Sequence, residues 1–235
     1  MNKNYSLSPI ASAILAIGIV AGCWVLGNAV VDFKAKDRYV TVKGLAEREV
    51  KANLAMWPIS FSASADTLPE VDAALKQSRQ QIITFLEAHD LGNAEMLDAA
   101  PRIQDNQSNS YDRKPAQRYT AQAILTVRSE AIATIKKAMS ESGDLVSQGV
   151  LLVQNYEFRP TFAFTGLNEI KPAMIAEATR NARNAADQFA NDSGSQVGGI
   201  RRATQGYFSL QNRDQYTPEI KRVRVVTTVD YFLED

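Results

Sequence analysis

The stretch YVTVKGLAEREV, residues 39–50, decides how the rest of the chain is read. Val40, Val42, Ala46 and Val50 fall on one face of an extended chain, and Thr41, Lys43, Glu47 and Glu49 on the other. Successive side chains of a strand point to opposite faces, so this alternation predicts a half-buried strand. The next stretch, Leu54 to Ala65, places Trp57, Ile59, Phe61 and Ala63 on a single face. Pro58 lies on the opposite face and has no N–H for a ladder, which predicts an edge position or a bulge at that point.

Working outward, Thr67-Leu68-Pro69-Glu70 reads as a helix start: a Thr N-cap, a Pro in the first turn and a Glu at the capping-box position. Val71, Leu75, Ile82, Phe85 and Leu86 form its apolar stripe, and Gly92 is the expected C-terminal cap. Strands are expected around Glu95–Ile103 and Arg118–Arg128, with the polar stretch Gln104 to Pro115 as an exposed loop between them. A short helix near Ser129 carries Ile132, Ile135 and Met139 inward. The second half reads as a strand over Val150–Arg159, a long helix over Asn168–Asn191, and strands over Ile200–Leu210 and Ile220–Leu233. The fold class is therefore α+β: two strand-helix-strand-strand units, forming antiparallel sheets with helices packed on them. The long helix is rich in alanine, with Ala173, Ala176, Ala178, Ala182, Ala185, Ala186 and Ala190, which suits close packing on its own sheet or a helix–helix oligomer interface.

Ahead of this domain, Ile10 to Val31 is free of charge. These 22 residues reach about 33 Å as a helix, enough for the roughly 30 Å hydrocarbon core of a bilayer. Three fates are open: an uncleaved anchor, a secretory signal cut near Gly27-Asn28-Ala29, or a lipoprotein signal at Val20-Ala21-Gly22-Cys23. The apolar run exceeds the 7–15 residues typical of a signal and continues beyond Cys23, which favours the anchor. The chain thus divides into a short cytoplasmic terminus (1–9), a transmembrane segment (10–31), a linker (32–38) and one α+β domain (39–235). Lys34, Lys36 and Arg38 follow the span while only Lys3 precedes it, which points the domain to the cytoplasm, although long domains translocate largely regardless of charge. Cys23 is the only cysteine, so intrachain disulfides are excluded.

Residues 39–50, with the run Val42-x-Gly44-x-Ala46-x-x-x-Val50, resemble the opening strand of SIMPL-domain proteins. The helix Ala176–Ala186 and the following Ser193-Gly194-Ser195-Gln196-Val197-Gly198-Gly199-Ile200 resemble that family's alanine-rich helix and its glycine turn. One departure is Ala52-Asn53, where many members carry Pro-Asp. The resemblance covers Tyr39 to the C-terminus and implies a bacterial, exported, envelope-associated protein of α+β fold. It also implies kinship with oxidative-stress defence proteins and with a periplasmic immunogenic antigen that forms ring- or channel-like oligomers. Export places the domain in the periplasm, on a single-pass inner-membrane anchor. The family supplies no established catalytic residues.

The residues themselves offer little chemistry. His89 is the only histidine and reads as a C-terminal helix residue favouring the dipole rather than a metal ligand. There is no Gly-x-Ser-x-Gly turn, P-loop or Gly-x-Gly-x-x-Gly fingerprint. Glu47 and Glu49 share a strand face as an acid/base pair would, with a solvated charged face as the simpler reading. Lys221, Arg222 and Arg224, with Arg201 and Arg202, are the basic clusters, expected to face solvent or partner carboxylates. Lys plus Arg equals Asp plus Glu at 26 each, so no net field recruits nucleic acid, and none is expected as a partner. Trp57, Tyr207 and Phe208 are expected in the core. No catalytic, cofactor-binding or metal residue and no cofactor is assigned. The expected partners are the membrane, a second copy of the chain and other envelope proteins, in a non-enzymatic role bearing indirectly on stress. The alternative is an anchored hydrolase or ligand-binding protein with a carboxylate site between the two halves.

Overall fold

The computed structural model describes residues 9–35, 38–108 and 116–234. Pro9–Ala35 is a single helix, α1, which runs past the expected end of the span and through half of the expected linker. Among the described residues no helix is long and apolar enough to cross a membrane. Beyond α1 the chain is α+β, with antiparallel strand pairs and helices packed on the sheets.

The chain forms two compact units, whose segments alternate along the sequence rather than follow one another. One comprises Met1–Glu47, Pro172–Ser209 and Arg224–Asp235, the other Arg48–Lys171 and Leu210–Val223. The expected sequential duplication is thereby corrected. The first strand, β1 (Tyr39–Lys51), pairs with the last, β10 (Ile220–Glu234), which pairs in turn with β8 (Gln196–Gln205) and with β9 (Ser209–Asn212). Such long-range pairing leaves no local mark in the sequence.

In the first unit, helix α5 (Leu167–Ser193) buries Met174, Ala178, Ala182, Ala186 and Ala190, a ridge of residues four apart. Ala182 and Ala186 form a core cluster with Val40, Val42, Val229 and Tyr231. Alanine is used because the strand backbone comes very close. A Cβ on Gly44 would lie 1.8 Å from the Ala178 carbonyl oxygen and 2.4 Å from the Ala182 nitrogen. The buried alanines of the ridge pack on the chain's own sheet, as one of the two expectations had it. Asn181 fixes the register by donating from Nδ2 to the Leu45 carbonyl at 2.8 Å.

In the second unit, β2 (Leu54–Ala65) pairs from Ala55 to Ala65 with β5 (Tyr119–Ser129). Helix α2 (Leu68–Ala88) covers the sheet with Val71, Leu75, Ile82, Phe85 and Leu86. Both hydrogen bonds of the Thr67/Glu70 capping box are present. At the other end the expected glycine cap is wrong. Asp90 takes the left-handed conformation (φ 59°) in a Schellman arrangement. Leu91 N–H donates to Leu86 O at 2.8 Å and Asp90 N–H to Glu87 O at 3.1 Å. Buried Leu91 supplies the accompanying apolar contact in the same core cluster as Leu86.

Three expected strands are broken. Glu95–Ile103 divides into β3 (Glu95–Asp98) and β4 (Arg102–Asp105) around Pro101, and both halves pair with β5. Gln104 and Asp105 therefore belong to a strand, while residues 109–115 of the expected loop lie outside those described. Ile200–Leu210 divides at Gly206, leaving β8 and β9. Val150–Arg159 yields only β6 (Leu151–Leu152), a 3-10 turn over Tyr156–Phe158, and then β7 (Thr161–Ala163). The short helix is α3 (Ile132–Ser140), followed by a further turn of helix, α4 (Gly143–Ser147).

Candidate functional site

The third break builds a concavity in the second unit. On the side of β2 away from β5, β6 pairs with Phe61 and Ser62, and β7 pairs with Leu54 to Met56. Between these pairings, residues 153–160 lie opposite only residues 57–60, so the surplus chain arches away from the sheet. Val153 N–H still donates to the Ser60 carbonyl at 2.8 Å. A strand residue presents its N–H and C=O on one side, and the side alternates. Pro58, two residues from Ser60, therefore turns its ring nitrogen toward the arch, where it has no proton to donate. No bulge forms in β2 at Pro58, which keeps its register with Thr126 of β5; the irregularity lies in the segment on its other side, where residues 57–60 have no ladder partner.

The arch leaves a cavity of about 450 Å³ whose walls include Trp57, Pro58, Met139, Leu152, Phe158 and Pro160. Ser60, Ser142, Gln154, Asn155 and Arg159 supply its polar groups. Ser60 is held by Gln122, whose Nε2 donates to its Oγ at 2.8 Å. Asn155 caps the 3-10 turn, its Oδ1 accepting from Glu157 N–H at 3.3 Å. Trp57 is both a core residue, only 7% exposed, and a wall of the cavity.

His89 is the C-cap of α2, as expected of a residue favouring the dipole. Its Nδ1 lies 2.8 Å from the Phe85 carbonyl and its Nε2 2.8 Å from the Glu141 carboxylate. Both neighbours are acceptors, so the doubly protonated ring satisfies both. The pKa is raised, first by the hydrogen bond to Phe85, with burial opposing and Glu141 adding to the rise. His89 is thus a pin between α2 and the residue that ends α3. Among the described residues no group of three or more His, Cys, Asp or Glu side chains is placed to hold a metal ion.

Glu49 pairs with Arg213 at 3.4 Å and Arg222 at 4.0 Å, an exposed ion network rather than an acid/base couple with Glu47. Asp214 anchors the adjacent turn, accepting from Tyr216 N–H, Thr217 N–H and the Thr217 hydroxyl at 2.6–2.8 Å. The Thr217 hydroxyl is the largest cause holding the Asp214 carboxyl far below the usual carboxylate range, followed by Arg213. Cys23 is exposed on α1.

Two expectations about single residues are corrected. Lys221 does not face solvent. It is buried, and its Nζ donates to Asn212 Oδ1. Burial lowers its pKa, with the Glu219 charge opposing. The signal was available, since Lys221 shares its parity with Val223, Val225 and Val229 on the inner face of β10. Tyr207 is fully exposed rather than in the core, because it stands in the break between β8 and β9.

The opening strand with Gly44 against the alanine ridge, and the turn into β8, are the features on which membership can be decided. The family model described as SIMPL, protein of unknown function (DUF541), matches residues 40–229. The chain belongs to the SIMPL family. Among curated proteins none matches it. The match begins at Val40 and ends at Val229, so it takes in both units of the SIMPL fold. Where many members of this family carry Pro-Asp, Ala52 N–H donates to the Glu219 carbonyl at 2.7 Å, a bond that proline would forfeit. Asn53 beside it clamps Thr165, Oδ1 accepting from Thr165 N–H at 2.9 Å and Nδ2 donating to Thr165 Oγ1 at 2.7 Å.

Proposed function

We propose that this SIMPL chain is a non-enzymatic envelope protein, tethered to the inner membrane by its N-terminal helix, whose periplasmic domain works by assembling with further copies of itself. Its bearing on stress tolerance is then indirect, through the assembly. The observation that carries the assembly reading is strand β8. It is ten residues long, lies at the end of the strand order β1-β10-β8, and is exposed over Ile200–Gln205. Ile200 is the register partner of buried Tyr231 yet is itself 55% exposed. An open strand edge of this length is a template for pairing with another chain.

Tethering draws on α1, where Leu15, Ile17, Val20, Trp24 and Leu26 are all 60% or more exposed. Apolar side chains on every side of a helix suit lipid rather than water. The sequence of this helix carries no charge from Ile10 to Val31.

The test is the native mass of the full chain extracted in mild detergent. A discrete oligomer that Ile200→Lys reduces to a monomer is the expected result. A monomeric wild-type chain at concentrations well above cellular ones overturns the assembly reading. Digestion of the C-terminal domain by protease added to spheroplasts, with the membrane-bound chain at uncleaved mass, is expected for the tether. Protection from the protease contradicts the periplasmic placement.

A further inference from the structure

We propose that the cavity beneath the arch of residues 153–160 is a binding site for a small arylalkyl monocarboxylate, with the aromatic body among the apolar walls and the carboxylate at Arg159. Every lining residue belongs to the second unit, whereas β8 belongs to the first. Its volume of about 450 Å³ falls within the range of small-molecule sites, roughly 300–1,000 Å³. The walls pair flat and polarisable groups, Trp57, Phe158 and Met139, with two prolines that lose little freedom on contact.

The one charged residue in the lining is Arg159, a cation, which favours an anionic ligand. Arg159 has a partner in the fold, but a guanidinium carries five N–H donors in a fork and serves more than one acceptor. Asn155 spends its Oδ1 on the 3-10 turn, which leaves its NH₂ group as a donor.

Trp57 adds a third donor. Its indole N–H makes no hydrogen bond among the described residues. Among those residues the one fully buried side-chain polar atom without a partner is Thr227 Oγ1. Trp57 is only 7% exposed and borders the cavity, so an indole N–H without a protein acceptor is placed to serve a ligand there. A nearly buried donor without an acceptor, an amide NH₂ and a guanidinium around an apolar pocket call for an acceptor-bearing anion with an apolar body.

The experiment uses the full chain in lipid bilayer discs with Trp24→Phe, which makes Trp57 the only tryptophan. The probe is 3-phenylpropionate, and its uncharged match is 3-phenylpropionamide. The expected result is a saturable change in Trp57 emission with the acid and binding about tenfold or more weaker with the amide, the scale of a charge-assisted hydrogen bond. Arg159→Ala is expected to weaken the acid by about tenfold while leaving the amide nearly unchanged, and Arg159→Lys to recover part of the loss. No saturable response to 10 mM acid overturns the proposal, in roughly the range where even weak ligand sites fill. Equal binding of acid and amide, or an acid affinity indifferent to Arg159→Ala, overturns it as well.

Discussion

Helices α2 and α5 perform the same task with opposite materials. Each covers an antiparallel sheet with one face, α2 through Ile82, Phe85 and Leu86, α5 through Ala178, Ala182 and Ala186. Over β2 and β5 the space is filled by large side chains from both layers, with Trp57, Phe61 and Leu125 meeting the helix residues in one cluster. Over β1 the backbones themselves approach, and glycine at position 44 and alanine on the helix are what that approach admits. The difference teaches that one architecture can be sensitive to lost volume in one unit and to added volume in the other.

The largest effect that sharpens the contrast is Phe85→Ala. Deleting a buried phenyl group leaves a cavity, and a loss of about 3–5 kcal/mol is expected in urea unfolding of the full chain. The counterpart on α5, Ala182→Gly, removes almost no volume and is expected to lose only about 1 kcal/mol of helix propensity. Next comes Gly44→Ala, which adds a single methyl group. With the new carbon placed against the Ala178 carbonyl and the Ala182 nitrogen, the helix must move off the strand. The expected loss is near the upper end of the 1–3 kcal/mol typical of overpacking, about 3 kcal/mol, with hydrogen-exchange protection falling first in β1 and α5. If Gly44→Ala were neutral, the close-approach account of the first unit would break.

A smaller effect of opposite sign is expected at Thr227. Its hydroxyl is buried without a partner among the described residues, and valine has the same shape without the polar atom. Thr227→Val is expected to stabilise the chain by about 1 kcal/mol, because an unsatisfied buried group carries a desolvation penalty of about 1–3 kcal/mol. The smallest effect is pH-dependent. The folded pKa of His89 is raised, so its contribution to stability is fully present below the ordinary imidazole value near 6.5 and is lost as pH rises through the higher folded value. Lys137 opposes the rise, so Lys137→Gln is expected to shift the window upward in denaturant midpoints measured against pH. His89→Gln is expected to abolish that pH dependence.

Much of the fold was legible because it is written locally. The alternation of Val40 and Val42, the Thr67/Glu70 box and the alanine richness of the long helix each depend on neighbours within a few residues. What was not legible depends on residues far apart in sequence. The strand expected over Val150–Arg159 is interrupted opposite Pro58, nearly a hundred residues earlier, which has no N–H to offer a ladder, and the cavity lies in that interruption. Asp90 in place of Gly92 shows a different limit, since aspartate tolerates the left-handed region well enough to end the helix two residues early. Lys221 was readable from parity alone, but its charge argued the other way.

The central claim, that copies of this chain assemble through β8, is tested most directly in native membranes. With Cys23→Ser as background, single cysteines are placed along β8 at Arg202, Ala203 and Thr204, and at exposed Lys76 on α2 as a control. Disulfide-linked dimers at one or more β8 positions, well above the Lys76→Cys level, are the predicted result. Cross-linking at β8 no greater than at Lys76→Cys would contradict it.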